Sequence, residues 1–152
     1  MKQLKFSTEA RDSIMEGVRE LSQAVRATLG PKGRNVVIER KMNPPQITKD
    51  GVTVSREVMF DEKFRNTGAD IVKEAAENTN SAAGDGTTTA IVLTEAIINE
   101  GYRHLIGGAN PVELKTGIDV AKDQIIELLQ EQVVEVGDSL EKIEQIAKIS
   151  AN

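Results

Sequence analysis

The 152-residue chain has no cysteine and no tryptophan, one histidine, one tyrosine and three phenylalanines. Without cysteine there is neither a disulfide framework nor a thiolate metal site, and a single imidazole rules out a multi-histidine metal centre. His104 itself reads as a solvated or capping residue near a helix end. Aromatics make up only 3% of a chain that is 39% apolar, so the core is expected to be built from Ile, Val, Leu and Ala on helices. No apolar run is long enough to span a membrane, and the stretch Met1 to Phe6 lacks the apolar region of an export signal. The expected location is the cytoplasm, or an organelle matrix if the chain derives from a processed precursor. Positive charge is also in deficit: 19 Lys and Arg against 24 Asp and Glu leave a net charge of −5, which argues against a polyanion-binding surface and so against nucleic acid.

What is present is mainly helical periodicity. Ile14, Val18, Leu21, Val25 and Leu29 fall on one face after a Ser7/Thr8 cap signal, and Gly30-Pro31 stops that helix. Asn35 to Glu39 is rich in β-branched residues. Gln46-Ile47-Thr48 follows the Asn43-Pro44-Pro45 breaker, and Val52-Thr53-Val54 follows a tight Asp50-Gly51, so the region reads as a small hairpin or strand pair. A helix from about Asn66 to Ala83 carries Ile71, Val72, Ala75 and Ala76. The next, Thr87 to Glu100, has Ile91, Val92, Leu93, Ala96, Ile97 and Ile98 around most of its circumference, which predicts a buried central helix stopped by Gly101. Asn110-Pro111-Val112-Glu113 starts a helix running to about Val134, with Leu114, Ile118, Ala121, Ile125 and Leu128 facing inward. After Gly137-Asp138-Ser139 a last amphipathic segment aligns Leu140, Ile143, Ile146 and Ala147.

Three loops carry chemistry. In Gly84-Asp85-Gly86-Thr87-Thr88-Thr89 an aspartate and three hydroxyls sit at a helix N-terminus, where glycines let backbone N–H groups face an anion. Asp85 would repel a bare phosphate, so the pattern makes sense with a divalent cation between them, as Mg²⁺ is held by one or two carboxylates plus phosphate oxygens. Alone, the segment also reads as an ordinary capped turn. Ala27 to Arg34 joins a helix C-terminus to two glycines and two cations, and alone it is equally an ordinary basic turn. In Ile47 to Val54 a lysine and an aspartate meet at a glycine turn, again common turn chemistry in isolation. There is no Walker-type P-loop and no dinucleotide-binding glycine pattern, so a nucleotide site here is of another kind.

Together, Ala27 to Val37, Ile47 to Val54, Ala82 to Ala90, Asn110-Pro111 with Gly117-Ile118-Asp119, and Ile149 to Asn152 resemble the group I (GroEL-type) chaperonins, in order and over essentially the whole chain. The resemblance implies a mainly α fold, an equatorial-domain helical bundle with a small β-hairpin. Residues 1–134 would form the first segment of the ATP-binding, ring-forming equatorial domain and residues 135–152 the start of the intermediate domain. It implies that Thr28, Leu29, Gly30 and Pro31 form the loop against ATP, that Lys49, Asp50 and Gly51 lie beside the phosphates, and that Gly86, Thr87, Thr88 and Thr89 bind the β- and γ-phosphates. Asp85 would hold Mg²⁺, main-chain oxygens near Thr28 and Lys49 would suit K⁺, and Asp50 would help position the attacking water.

The family's main catalytic aspartate belongs to a later segment that this sequence does not contain. The apical surface for unfolded polypeptides, the surface for a co-chaperonin lid and the rest of the adenine pocket are likewise outside it. An expected consequence is poor ATP binding or inefficient turnover by this piece, with the stripe Leu140, Ile143, Ile146 left uncovered. The hairpin Val36 to Thr48 and a strand Leu4 to Phe6 would pair with ring neighbours of the same sequence. Two other readings stay open: a non-catalytic nucleotide-binding or ring-assembly module, and a helical interaction domain that binds no nucleotide.

Overall fold

The structure, a computed structural model, describes residues 7–40 and 43–151. Its elements run α1 (Ser7–Arg26), β1 (Val36–Ile38), β2 (Gln46–Thr48), α2 (Gly51–Glu57), α3 (Lys63–Ala83), α4 (Thr87–Ile106), α5 (Pro111–Glu131) and α6 (Leu140–Ala151). The mainly α fold with one hairpin is as the sequence predicts. β1 and β2 are antiparallel, with Val37 opposite Ile47. The expected strand Leu4–Phe6 lies outside the described residues.

The chain divides into two compact units, Met1–Glu100 and Gly101–Asn152. The first has a core of Val18, Leu21 and Val25 from α1, Val54 from α2, Ala69, Val72 and Ala76 from α3, and Ile91 from α4. Val36 of β1 packs against it. Burying each of the larger of these side chains stabilises by roughly 2 kcal/mol. The α1–α3 contact is unusually close because it is made at glycines. A Cβ on Gly17 would lie 1.8 Å from the Arg65 carbonyl oxygen, and one on Gly68 would lie 2.0 Å from that of Ile14. Both are buried, so backbone meets backbone where a side chain would otherwise hold the helices apart. Glu62 caps α3 by accepting from the N–H groups of Phe64 and Arg65, and the Arg65 guanidinium lies 4.8 Å from the Phe60 ring centroid and pairs with Glu20.

The structure corrects four expectations. Val52-Thr53-Val54 is helical, within α2: the Asp50 side chain accepts from Thr53 N–H and starts a helix despite the β-branched residues, because capping and burial of Val52 and Val54 outweigh their weak strand preference. α4 runs through Gly101 to Ile106, since an interior glycine costs only about 1 kcal/mol. The stop comes at Gly107-Gly108, where Gly108 takes φ +89° and Ala109 N–H closes on the His104 carbonyl at 3.0 Å. Nor is α4 buried around its circumference: Thr87, Ile91 and Glu95 are its buried residues, while Leu93 and Ile97 are exposed. Finally, α5 ends at Glu131 and has no buried residue: of the stripe expected to face inward, Leu114 is half-buried and Ile118, Ala121, Ile125 and Leu128 are exposed.

Candidate functional site

Two of the three loops singled out by the sequence touch at Gly51, beside the last turn of α1 from which the third loop continues. Gly51 is buried at the start of α2, and a Cβ there would lie 2.1 Å from Thr88 Oγ1 and 3.0 Å from Val25 Cγ1. Its φ is not positive, so the residue must be glycine for close approach rather than for turn geometry. Asp50 and Gly51 are thereby seated against the first turn of α4 and the last turn of α1.

The α1 turn continues into the loop Thr28 to Pro31. Thr28 is half-buried, and both its N–H (2.9 Å) and its Oγ1 (2.8 Å) donate to the Val25 carbonyl. Leu29 N–H donates to the Arg26 carbonyl at 3.1 Å, and Leu29 itself is exposed beyond the helix. Gly30 takes φ +73°, Gly33 N–H donates back to the Gly30 carbonyl at 2.9 Å, and Arg34 N–H reaches the Ala27 carbonyl at 2.7 Å. A Cβ on Gly33 would stand 2.2 Å from the Thr28 carbonyl oxygen, so that glycine lets the loop fold onto itself. Pro31 is exposed.

Asp50 is the N-cap of α2, with Oδ2 accepting from Thr53 N–H at 2.9 Å and Thr53 Oγ1 at 2.6 Å, while its own N–H donates to Thr48 Oγ1 at 3.0 Å. Burial pushes its carboxyl up, but the bonds from Thr53 and Val52 and the charge of Arg56 outweigh that and hold its pKa below the ordinary 3.8. At neutral pH it is an ionised hydrogen-bond acceptor. Lys49 beside it is exposed.

The third loop descends from α3 through Gly84, whose φ of +71° and N–H bond to the Asn80 carbonyl (2.8 Å) end that helix. Asp85 is exposed, and its Oδ1 accepts from Gly86 N–H at 2.6 Å. Gly86, at φ +80°, supplies the carbonyl that accepts from Ala90 N–H, so the residue at the head of α4 is one without a side chain to cover the first amides. Thr87 is buried, Thr88 half-buried against Gly51, and Thr89 exposed. Among the described residues, no hydrogen bond or ion pair links Asp85 or Lys49 to the other loops, and no group of three or more acidic or histidine residues forms a metal site. A cation at Asp85 would take one protein carboxylate and complete its shell from a ligand, which is how Mg²⁺ is held beside phosphates. The bare glycine head of α4 and the exposed carboxylate fit that group.

Two residues of this region were not singled out by the sequence: Arg26, the last residue of α1, and Glu95, which is buried on α4 and accepts from Arg26 Nη2. The available signal was an acidic residue at i+4 from Ile91 and i+8 from Thr87, on the one stripe of α4 that is buried.

Comparison with known proteins bears on what the three loops are for. Residues 21–152 match the TCP-1/cpn60 chaperonin family. Among solved structures, the chain resembles chaperonin gp146 from the bacteriophage EL 2 (Pseudomonas aeruginosa), crystallised in the presence of ATP-BeFx. The identity is 29% and the TM-score 0.71, over 85% of this chain and 22% of that one. It also resembles a group III chaperonin in the open state, at 28% identity and TM-score 0.74 over 86% of this chain and 26% of that one. The chain thus spans about a quarter of the length of these two chaperonins. The family match takes in all three loops and every helix after the first turns of α1, and by it the chain belongs to the TCP-1/cpn60 chaperonin family.

Proposed function

We propose that this chain is the N-terminal, nucleotide-binding part of an ATP-dependent chaperonin subunit of the GroEL type. Residues 1–134 would be the first equatorial segment and residues 135–152 the start of the intermediate domain. The observation that carries the reading is the seating of Gly51 on Thr88 and Val25, which packs the 49–51 turn against the head of α4 and against the last turn of α1, from which the loop at 28–31 continues. A chaperonin with this fold was crystallised with an ATP analogue, which supports the same ligand here.

The residues divide the work by their chemistry. The α4 amides and the hydroxyls of Thr87, Thr88 and Thr89 bind phosphate oxygens, aided by the positive end of the helix dipole. Asp85 holds Mg²⁺, which when bound neutralises charge on the phosphates. Thr28 to Pro31 line the nucleotide, Lys49 adds a cation, and main-chain oxygens near Thr28 and Lys49 suit K⁺. Asp50, ionised and already an acceptor, orients the attacking water by taking its hydrogen bond and is too weak a base to remove its proton. Ring neighbours, unfolded polypeptides and a co-chaperonin lid are the partners proposed for the whole subunit, with neither nucleic acid nor membrane among them. Among the described residues, no helix is long and apolar enough to cross a membrane. The cytoplasm is the proposed location.

Calorimetric titration with Mg-ATP, run on the native chain and on Asp85→Ala with phosphate release followed in parallel, tests this. Binding by the native chain that is lost in the variant is expected. Equal binding by both would remove Asp85 from the site, and efficient phosphate release would mean that Asp50 suffices without the later catalytic aspartate.

A further inference from the structure

The buried carboxylate of Glu95 lies far from the α4 head. Eight residues of helix separate it from Thr87, about 12 Å at 1.5 Å per residue, so it is out of reach of a ligand at the amides. A carboxylate is costly to bury without a partner, and this one has the guanidinium of Arg26. Arg26 is where the neighbouring loop begins. The carbonyls of Val25, Arg26 and Ala27 receive the N–H groups of Thr28, Leu29 and Arg34, so the loop hangs from three consecutive residues whose middle member is clamped to α4. A second polar contact, Arg19 Nε donating to Asn99 Oδ1 at 3.0 Å, joins the same two helices farther from the loop.

We propose that the Arg26–Glu95 pair sets the position of the Thr28–Pro31 loop relative to the α4 N-terminus, which makes Glu95 a positioning residue for the nucleotide. The role in binding rests on the function proposed above; the tie itself does not. The pair converts the place of α4, already fixed in the core by Ile91, into the place of a loop that has little apolar anchoring of its own, since Leu29 is exposed. Charge-assisted hydrogen bonds suit such a task because they are stronger and more directional than neutral ones.

The test uses the 152-residue chain and two readouts: amide hydrogen exchange without nucleotide, and Mg-ATP titration. Arg26→Met, which leaves the Glu95 carboxylate without its partner, and Glu95→Leu, which removes the acceptor and leaves no buried charge, should each speed exchange at Gly33 and Arg34 about tenfold. Each should also weaken Mg-ATP binding about tenfold. Exchange at Leu21 and Val25 should stay at its native level. Arg26→Lys, which preserves the charge, should stay within about threefold of native in both readouts. Asn99→Ala, which cuts the farther contact, should leave the loop amides unchanged. Unaltered loop exchange in both Arg26→Met and Glu95→Leu overturns the tie, and so does equal loosening by Asn99→Ala. Faster loop exchange in a chain whose native form binds no Mg-ATP overturns the nucleotide role and leaves the mechanical tie standing.

Discussion

The two units of this chain carry the same kind of sequence signal and come to opposite ends. α1 in the first unit and α5 in the second both show an apolar residue every three or four positions. Val18, Leu21 and Val25 of α1 are fully buried, whereas Ile118, Ile125 and Leu128 of α5 are all exposed. α5 is held instead by local terms: Asn110 Oδ1 accepts from Val112 N–H at 2.8 Å, Pro111 stands at the first helical position, and Glu113 sits in the first turn. α6 likewise has its Glu144–Lys148 pair at 2.7 Å. Such terms contribute tenths of a kcal/mol to about 1 kcal/mol each, against roughly 2 for each buried aliphatic side chain. A periodic stripe marks which face of a helix can be covered; it says nothing about whether a cover is there.

Substitutions should reproduce that contrast. The largest effect is expected at the glycine crossing, where Gly17→Val or Gly68→Val forces side-chain atoms into backbone carbonyls and should destabilise the first unit by at least about 3 kcal/mol, read by urea unfolding. A small loss there would mean that α1 and α3 can part without consequence. Leu21→Ala should cost about 3 kcal/mol by the same measurement, and Ile125→Ala in the second unit less than about 0.5 kcal/mol. Comparable losses at the two positions would erase the distinction between the units.

Asp50→Ala should cost about 1 kcal/mol through loss of the α2 cap. Because the carboxyl is more acidic folded than unfolded, its contribution is complete above its ordinary pKa of 3.8 and is lost as pH falls through the lowered value. A stability profile from pH 6 to pH 2 should therefore flatten on its acid side in Asp50→Asn, and an unchanged acid limb would show that another group is responsible. The smallest effect is expected for Asn110→Gly, a few tenths of a kcal/mol, visible as faster amide exchange in the first turn of α5 and nowhere in the first unit.

Much of the site could be read along the chain because its parts are local. A Gly-Asp-Gly turn before three threonines, a Gly-Pro-Lys-Gly loop after a helix and a Lys-Asp-Gly start are each set by the conformational needs of a few adjacent residues. The misreadings share one origin. Val52 to Val54 look like a strand until the Asp50 cap and the burial of Val52 and Val54 are counted, and Gly101 looks like a stop until α4 is seen to continue past it. At Val52 to Val54 a weak strand preference was outweighed by the cap and by burial, and at Gly101 the helix absorbed the glycine's cost of about 1 kcal/mol. Glu95 was passed over for a related reason: a single charge in an apolar run reads as solvent-facing until its partner, 69 residues away in sequence, is in view.

The order of the five long helices, the hairpin, the glycines that need positive φ at 30, 84 and 86, and the family itself were determined by the sequence alone, since each depends on neighbours within a few residues or on a pattern of types. Tertiary structure alone decided that Gly51 is required by Thr88, that Gly17 and Gly68 admit backbone to backbone, and that Arg26 finds Glu95. Those are encounters between segments distant along the chain, and their energies come from excluded volume and desolvated charge, which act only once the segments have met.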